Sequence, residues 1–359
     1  MTRSRDGEGG ARLPVVDERG GSGADARDPR PRIVVSECLG FAAVRYNGQI
    51  LKSRFVDALR DHVAFVQVCP EVGMGMGVPR DPVRVVLRDG EARLHQPDTG
   101  RDWTEQMRRF GDDFLGGLDA VDGFILKSKS PSCGISDTKI YAQDEGGSPV
   151  ERSAGLFARA VQAAYPWAAI QDEGRLTNLR LRHHYLAHAW ALARLREIEA
   201  AGEPSALVRF QAEHKLLLLS LSPGGQRELG RIVAEAGVRP FPGVIRAYRE
   251  GLGRVFARPP RVGPTVDALQ HAFGYVSDEL DPSERSYFLE LLERFREGRA
   301  PLPTLLAVLR AWIVRFGVGY LEDQRLFEPY PPELVDLSSS GDGQMVDVGA
   351  APTRSRRTR

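Results

Sequence analysis

Three short apolar runs shape the first part of the chain, and each stops at a polar loop. They are Ile33-Val34-Val35, which stops at Ser36-Glu37-Cys38-Leu39-Gly40; residues 64–68, which stop at Cys69-Pro70-Glu71; and residues 121–126, which stop at Lys127. Helical stretches lie between them, near 52–61 and 103–118. Short apolar strands alternating with helices predict βαβ units and a parallel sheet. Residues 83–87 and 92–94, joined by Arg88-Asp89-Gly90-Glu91, predict a hairpin, because Asp-Gly suits a tight turn with positive φ. A helix near 151–164, an apolar segment at 168–170 and a long helix over 179–199 extend the unit.

Gly202-Glu203-Pro204 reads as a hinge. Beyond it the period is helical, near 205–221, 223–236, 240–255, 264–275, 282–297 and 301–322, with Pro or Gly in most gaps. The expected architecture is an α/β N-terminal domain with a Rossmann-like parallel sheet over 32–202, followed by an all-α C-terminal domain over 203–334. A length of 359 residues accommodates two such domains. Residues 1–31 and 335–359 carry no apolar period and predict disordered tails.

Global charge points to no partner, since 49 Lys+Arg nearly cancel 48 Asp+Glu. No run of about 18 apolar residues predicts a membrane helix. The first residues lack the apolar region of a secretory signal, so a cytoplasmic chain is expected. Thiols stay reduced there, and three cysteines, an odd count, suggest metal binding or catalysis more than disulfides.

Each cysteine follows a predicted strand, directly or through a loop. The carboxyl ends of parallel strands are where such sheets bind ligands, so Cys38, Cys69 and Cys133 can converge. Thiolates are the usual ligands of iron–sulfur clusters. Three thiolates on a four-iron cubane leave one iron as an open Lewis-acid position. Spacing alone leaves two alternatives: three buried structural thiols, or zinc completed by Glu71, a histidine or water.

The motifs around the cysteines go further. Ser36-Glu37-Cys38-Leu39-Gly40 with Val44-Arg45-Tyr46-Asn47-Gly48, Val68-Cys69-Pro70-Glu71-Val72 with Pro79-Arg80, and Lys127-Ser128-Lys129-Ser130-Pro131-Ser132-Cys133-Gly134 resemble the thiouracil desulfurase family over residues 32–142. The resemblance implies a [4Fe-4S] cluster on Cys38, Cys69 and Cys133 and a non-redox exchange of thiocarbonyl sulfur for oxygen. Glu37 and Gly40 depart from the small and apolar residues expected in the first motif. Phe210-Gln211-Ala212-Glu213-His214-Lys215-Leu216, Ser222-Pro223 and Arg227-Glu228-Leu229-Gly230-Arg231 resemble a YbgA-like helical domain. Fusions of the two resemble enzymes that remove sulfur from 4-thiouridine in tRNA. The implied partner is thiolated RNA. The alternatives are an enzyme for a free thiobase such as 2-thiouracil, and a cluster-containing redox or nucleic-acid-binding regulator. Neither a membrane nor an obligate protein partner is expected.

Sulfur–oxygen exchange needs proton traffic, and Glu71, two residues from Cys69, is the first candidate acid/base. Its alternative role is a cap or salt bridge. Ser132 is a candidate to orient base or water, and Lys127 to neutralise a developing anion. Ser36, Ser130 and Asp137 are weaker candidates. Residues 73–77, Gly-Met-Gly-Met-Gly, lack the end of a phosphate loop and read as a flexible wall of the pocket. Tyr46 is a stacking candidate or a core residue. Between Leu207 and Val262, ten basic residues outnumber four acids. That local excess marks Lys215, Arg227 and Arg231 as candidate phosphate contacts. His183, His184 and His188, at helical spacing, read as surface or packing residues, since no carboxylates accompany them, and His214 reads as a capping or core residue, with catalysis together with Lys215 as its alternative.

Overall fold

A computed structural model describes residues 29–335. The predicted tails lie outside these residues, apart from 29–31 and 335. Four strands form a wholly parallel sheet: β1 (Arg32–Ser36), β2 (Ala64–Val68), β6 (Gly123–Leu126) and β9 (Ala169–Asp172), in the order β2-β1-β6-β9. Parallel neighbours need crossovers. The links are built around α1 (Arg54–Leu59), α3 (Thr104–Gly116) and α4 (Leu156–Ala164). The predicted α/β half is therefore present.

A second sheet was not foreseen. It contains β3 (Arg84–Arg88), β4 (Glu91–Gln96), β5 (Arg101–Asp102), β7 (Thr138–Tyr141) and β8 (Pro149–Ser153), in the order β5-β4-β3-β7-β8. The predicted hairpin is its β3–β4 pair, closed by Asp89 and Gly90 at φ 53° and 79°. The helix predicted near 151–164 is corrected. Residues 149–153 pair antiparallel with β7, and the helix begins only at Leu156. Gly155 separates the two, and a Cβ there would lie 2.5 Å from the Pro131 carbonyl oxygen.

Alternation along the strands gives the parallel sheet two apolar faces. Val34, Val66, Phe124 and Leu126 pack with Val85, Leu94 and Ile140 of the second sheet and with α3 and α4. Ile33, Val35, Phe65 and Ile125 pack with α1 and with α5 (Leu179–Ala201). Residues 184–195 of α5 are all buried. A helix buried all round lies between two layers. Here the layers are the sheet and the helices that follow.

Those helices are α6 (Pro204–Leu221), α7 (Pro223–Ala234), α8 (Phe241–Val255), α9 (Val262–Gly274), α10 (Pro282–Arg296), α11 (Leu302–Phe316) and the short α12 (Gly319–Glu322). Capping sets their starts: Ser222 Oγ accepts from Gly225 N–H, and Asp281 forms a capping box with Glu284. The single helix predicted over 301–322 is two, because Gly317 takes φ 64° and ends α11.

The turn read as a hinge, at Gly202-Glu203-Pro204, joins α5 to α6, but the core does not divide there. One apolar cluster runs from Ile33 and Val35 through Trp190 and Leu195 to Leu216, Leu252 and Leu309. At the seam the His188 ring stacks on Phe256, centroids 4.5 Å apart and ring planes nearly parallel. Gly253 of α8 packs on Trp167, where an added Cβ would lie 2.5 Å from the Trp167 Cα. Arg196 pairs with buried Asp122 at 3.2 Å. A cut after Gly202 therefore strips one side of α5.

The four histidines are packing residues. His184 Nε2 meets the Phe256 carbonyl at 2.8 Å, and His214 Nδ1 meets the Phe210 carbonyl at 2.9 Å. Burial holds His183, His184, His188 and His214 below the usual histidine value of 6.5, His183 at about 4. The unfolded chain takes up these protons first as pH falls. Their stabilising effect is complete above pH 6.5 and is lost as pH drops toward 4. Each pH unit in that window should cost about 1.4 kcal/mol for every histidine that charges only on unfolding. Urea midpoints at pH 7.5, 6 and 5 should fall in that order; a midpoint independent of pH would refute the neutral, buried assignment.

Candidate active site at the carboxyl edge of the parallel sheet

Every strand of the parallel sheet ends in a polar group on the same edge. β1 ends at Ser36 and leads to Cys38, β2 to Cys69, β6 to Lys127 and β9 to Glu173. Leu126 is level with Asp172 and Ser36 with Val68, so the next residues emerge side by side. A cavity of about 330 Å³ lies over this edge. Its wall includes Cys38, Cys69, Cys133, Glu71, Lys127 and Tyr46. The three cysteines that the sequence separates by 31 and 64 positions thus share one cavity.

Cys69 precedes α2 (Pro70–Gly73), and the Val72 N–H hydrogen-bonds to its sulfur. Cys133 sits in the loop from β6 to β7. Ser130 Oγ accepts from the N–H groups of Ser132 and Cys133 at 3.2 and 3.1 Å, and Thr138 Oγ1 donates to the Ser130 carbonyl at 2.7 Å. Gly134 is required there, since a Cβ would fall 2.3 Å from Thr138 Oγ1. Asp137 accepts from Lys129 N–H at 2.8 Å. Ser130 and Asp137 therefore build the loop. Ser36 accepts from Lys127 N–H at 2.9 Å and hydrogen-bonds to the Cys133 sulfur.

Burial pushes the Cys38 thiol up to about 12 and the Cys69 thiol to about 11, and raises Cys133 well above its usual value. Neighbouring cysteines add to the shift at Cys38 and Cys133. Thiolates here repel one another in a poorly solvated space, which a cationic body between them would reverse. Among the described residues no three Cys, His, Asp or Glu side chains could hold a single metal ion. A cubane spreads its thiolates over a larger body than one ion does. The three cysteine sulfurs around the cavity are a donor set that fits such a cluster, and of the fourth ligands suggested for zinc, Glu71 is engaged with Arg80 and Ser132.

Glu71 makes the salt bridge of its alternative reading, and a second contact to Ser132. Its Oε2 accepts from Arg80 Nη2 and Nε at 2.5 and 3.0 Å, and its Oε1 accepts from Ser132 Oγ at 2.8 Å. Arg80 also donates to the carbonyls of Val44 and Gly77, and its N–H to that of Tyr46. It thus ties the carboxylate to the loop forming the cavity rim. Ser132 is fully buried and does not line the cavity, so it reaches the space only through Glu71. Tyr46 is 41 % exposed at the rim, with the Arg45 guanidinium 5.5 Å from its ring, and is not a core residue.

The glycine-rich wall is a correction. Residues 73–77 contribute nothing to the cavity; Met76 is buried in the core, and Gly73 fits beneath Phe110. Close packing explains Gly73 and Met76, and Gly75 takes a φ of 96° that favours glycine. Two groups escaped the sequence reading: Glu173, which pairs with Lys127, and the ionic role of Arg80. Lys215, Arg227 and Arg231 lie far along the chain on α6 and α7. They are exposed, with no carboxylate partner among the described residues. Arg239 and Arg254 are paired with Glu235 and Glu228, acids already counted against the local excess, and Arg249 is paired with Glu199, an acid outside that stretch.

Residues 33–173 match the family model described as 2-thiouracil desulfurase, and residues 215–331 match a protein family of unknown function, DUF1722. Uncharacterized protein YbgA of Escherichia coli (strain K12) is 26% identical over 158 residues, covering 44% of this chain and 93% of YbgA. Uncharacterized protein YbbK of Bacillus subtilis (strain 168) is 32% identical over 140 residues, covering 37% of this chain and 91% of YbbK. A solved structure, the [4Fe-4S]-dependent thiouracil desulfidase TudS, is 30% identical, with 41% of this chain and 93% of that one covered and a TM-score of 0.34. Among the described residues no helix is long and apolar enough to cross a membrane.

The Arg80–Glu71 pair has side chains only 6% and 13% exposed. Removing one partner of a buried pair strands the other charge. Arg80→Gln should therefore lower unfolding free energy by about 3 kcal/mol, at the low end for such pairs. Urea titration of the variant against wild type measures this. A loss below about 0.5 kcal/mol would mean the pair behaves as a surface bridge.

Proposed function

Because the chain belongs, through residues 33–173, to the 2-thiouracil desulfurase family, we propose that it replaces the thiocarbonyl sulfur of a thiolated uracil by oxygen, using a [4Fe-4S] cluster held by Cys38, Cys69 and Cys133. The observation that carries this reading is the convergence of three thiols on one cavity that also presents a hydrogen-bonded carboxylate. When bound, such a cluster supplies an open iron, a Lewis acid that polarises the C–S bond.

The chain's own residues supply the rest. Tyr46 covers one face of the base at the rim. Glu71 takes a proton from the water that attacks the ring carbon, at the oxygen that also accepts from Ser132. Arg80 holds the other oxygen, and the fixed carboxylate is preorganised for that role. Lys127 on the wall offsets negative charge as sulfur departs. The exchange consumes one water and releases one sulfide, with no change in oxidation state, so sulfur leaves as in a hydrolysis.

The substrate proposed is 4-thiouridine in tRNA, converted to uridine in the cytoplasm. The cations Lys215, Arg227 and Arg231, exposed and without a carboxylate partner among the described residues, support a polynucleotide substrate, because phosphate attraction is the sequence-independent part of RNA affinity. Arg227 and Arg231, four apart on α7, share a face. The base must leave its stack to enter the cavity.

Anaerobic reconstitution, an iron count, and nucleoside analysis of treated thiolated tRNA beside free 2-thiouracil test this reading. Cys38→Ala, Cys69→Ala and Cys133→Ala should each lose most iron and all activity. Three variants that keep a full cluster would refute the ligand set. Glu71→Gln should keep iron and lose about 10²–10⁴-fold in turnover. An unchanged rate across pH removes Glu71 from the chemistry. Arg227→Ala with Arg231→Ala should raise KM for tRNA and leave free 2-thiouracil unaffected. Equal effects on both substrates would favour a free thiobase as the substrate.

A further inference from the structure

Lys127 and Glu173 leave neighbouring parallel strands at the same level, one residue beyond the Leu126–Asp172 pair. Lys127 Nζ donates to Glu173 Oε1 at 2.5 Å, to Ser128 Oγ at 2.9 Å and to the Ser128 carbonyl at 3.0 Å. An ammonium has three protons, and all three are engaged. Glu173 also accepts from the Ser128 hydroxyl at 2.7 Å on the same oxygen, and from Ser128 N–H at 2.8 Å on the other. Ser128 is thereby clamped between them. The two side chains are only 20% and 17% exposed, so solvent screens the pair weakly. Lys127 lines the cavity, whereas Glu173 stands behind it.

We infer that Glu173 is a positioning residue: it holds the Lys127 ammonium against the cavity wall, where that charge stabilises the sulfur as it departs. The inference rests on the desulfuration proposed above. An unanchored lysine has a flexible four-carbon stem and a strongly hydrated head. Over a cavity with three sulfurs it would swing to solvent or fall onto a sulfur. A fixed charge needs no reorganisation when the transition state forms, which is why preorganised groups dominate electrostatic catalysis. Glu173 offsets part of that charge. Its position behind the wall leaves the cation as the end that faces the substrate.

The test compares wild type, Glu173→Gln, Lys127→Met and the double variant as cluster-loaded full chains. Thiolated tRNA and free 2-thiouracil are the substrates. Glu173→Gln keeps the side-chain shape and an acceptor for Ser128. It should lower kcat about 10- to 100-fold, with KM and iron content within about twofold of wild type. Lys127→Met should lower kcat by at least as much. The double variant should be no slower than Lys127→Met, because residues acting as one unit are non-additive. A second readout needs no cluster. Brief acylation of the apo chain with an amine-reactive ester, followed by peptide mass spectrometry, should label Lys127 several-fold faster in Glu173→Gln. Thermal melting checks that each variant folds, and Glu173→Asp replaces Glu173→Gln if the latter does not. Unchanged kcat in an active, folded variant overturns the role alone, as do losses that multiply in the double variant. Unchanged Lys127 labelling overturns the holding contact. A wild type that desulfurates neither substrate overturns the site's function, and this role with it.

Discussion

Everything at the site depends on the common direction of β2, β1, β6 and β9. Parallel strands cannot be joined by tight turns, so the chain must leave the sheet after each strand and return from the far end. That detour separates the cysteines in sequence. The shared direction brings their strand ends back to one edge. Register matters as much as direction. A slip of one residue would turn Val34 and Phe124 toward the wrong layer, and two apolar faces hold the register against that slip.

The edge is electrically organised in pairs. Arg80 answers Glu71, both on the cavity wall, and Lys127 on the wall answers Glu173 outside it, and each pair is tied to a loop. At the three thiols burial outweighs the nearby cations, Lys127 and Arg45 at Cys38 and Arg80 at Cys69, and makes each costly to ionise. The site thus combines settled charges around its wall with unsettled sulfurs in the middle. That contrast is what a cationic metal body would resolve.

Much of this was legible in the sequence because strand ends are marked there. Val35, Val68 and Leu126 close apolar runs, and a polar loop follows each. Glu173 was not legible, because residues 168–170 give a short, weak apolar signal and a carboxylate after it looks like any other surface acid. The second sheet was hidden for a related reason. Lys139, Glu151 and Arg152 face solvent, so β7 and β8 lack the apolar run that reveals a buried strand. Residues 73–77 misled in the opposite sense. Their glycine content suggested mobility, but Gly73 is there because Phe110 leaves no room for a Cβ. The cations of residues 207–262 were visible in the composition, but the pairing of those on α8 was not. Arg254 finds Glu228 across 26 positions and Arg249 finds Glu199 across 50.

Helix α5 is a wall shared by two rooms. Its residues 184–195 serve the sheet on one side and the later helices on the other. YbgA and YbbK are each covered almost whole by less than half of this chain. Joining the two halves is hard to reverse. Once Trp190, Leu192 and Leu195 answer to two cores, a change that suits one neighbour is judged by the other. The halves must then vary together, and cutting them apart requires a new surface as well as a new end.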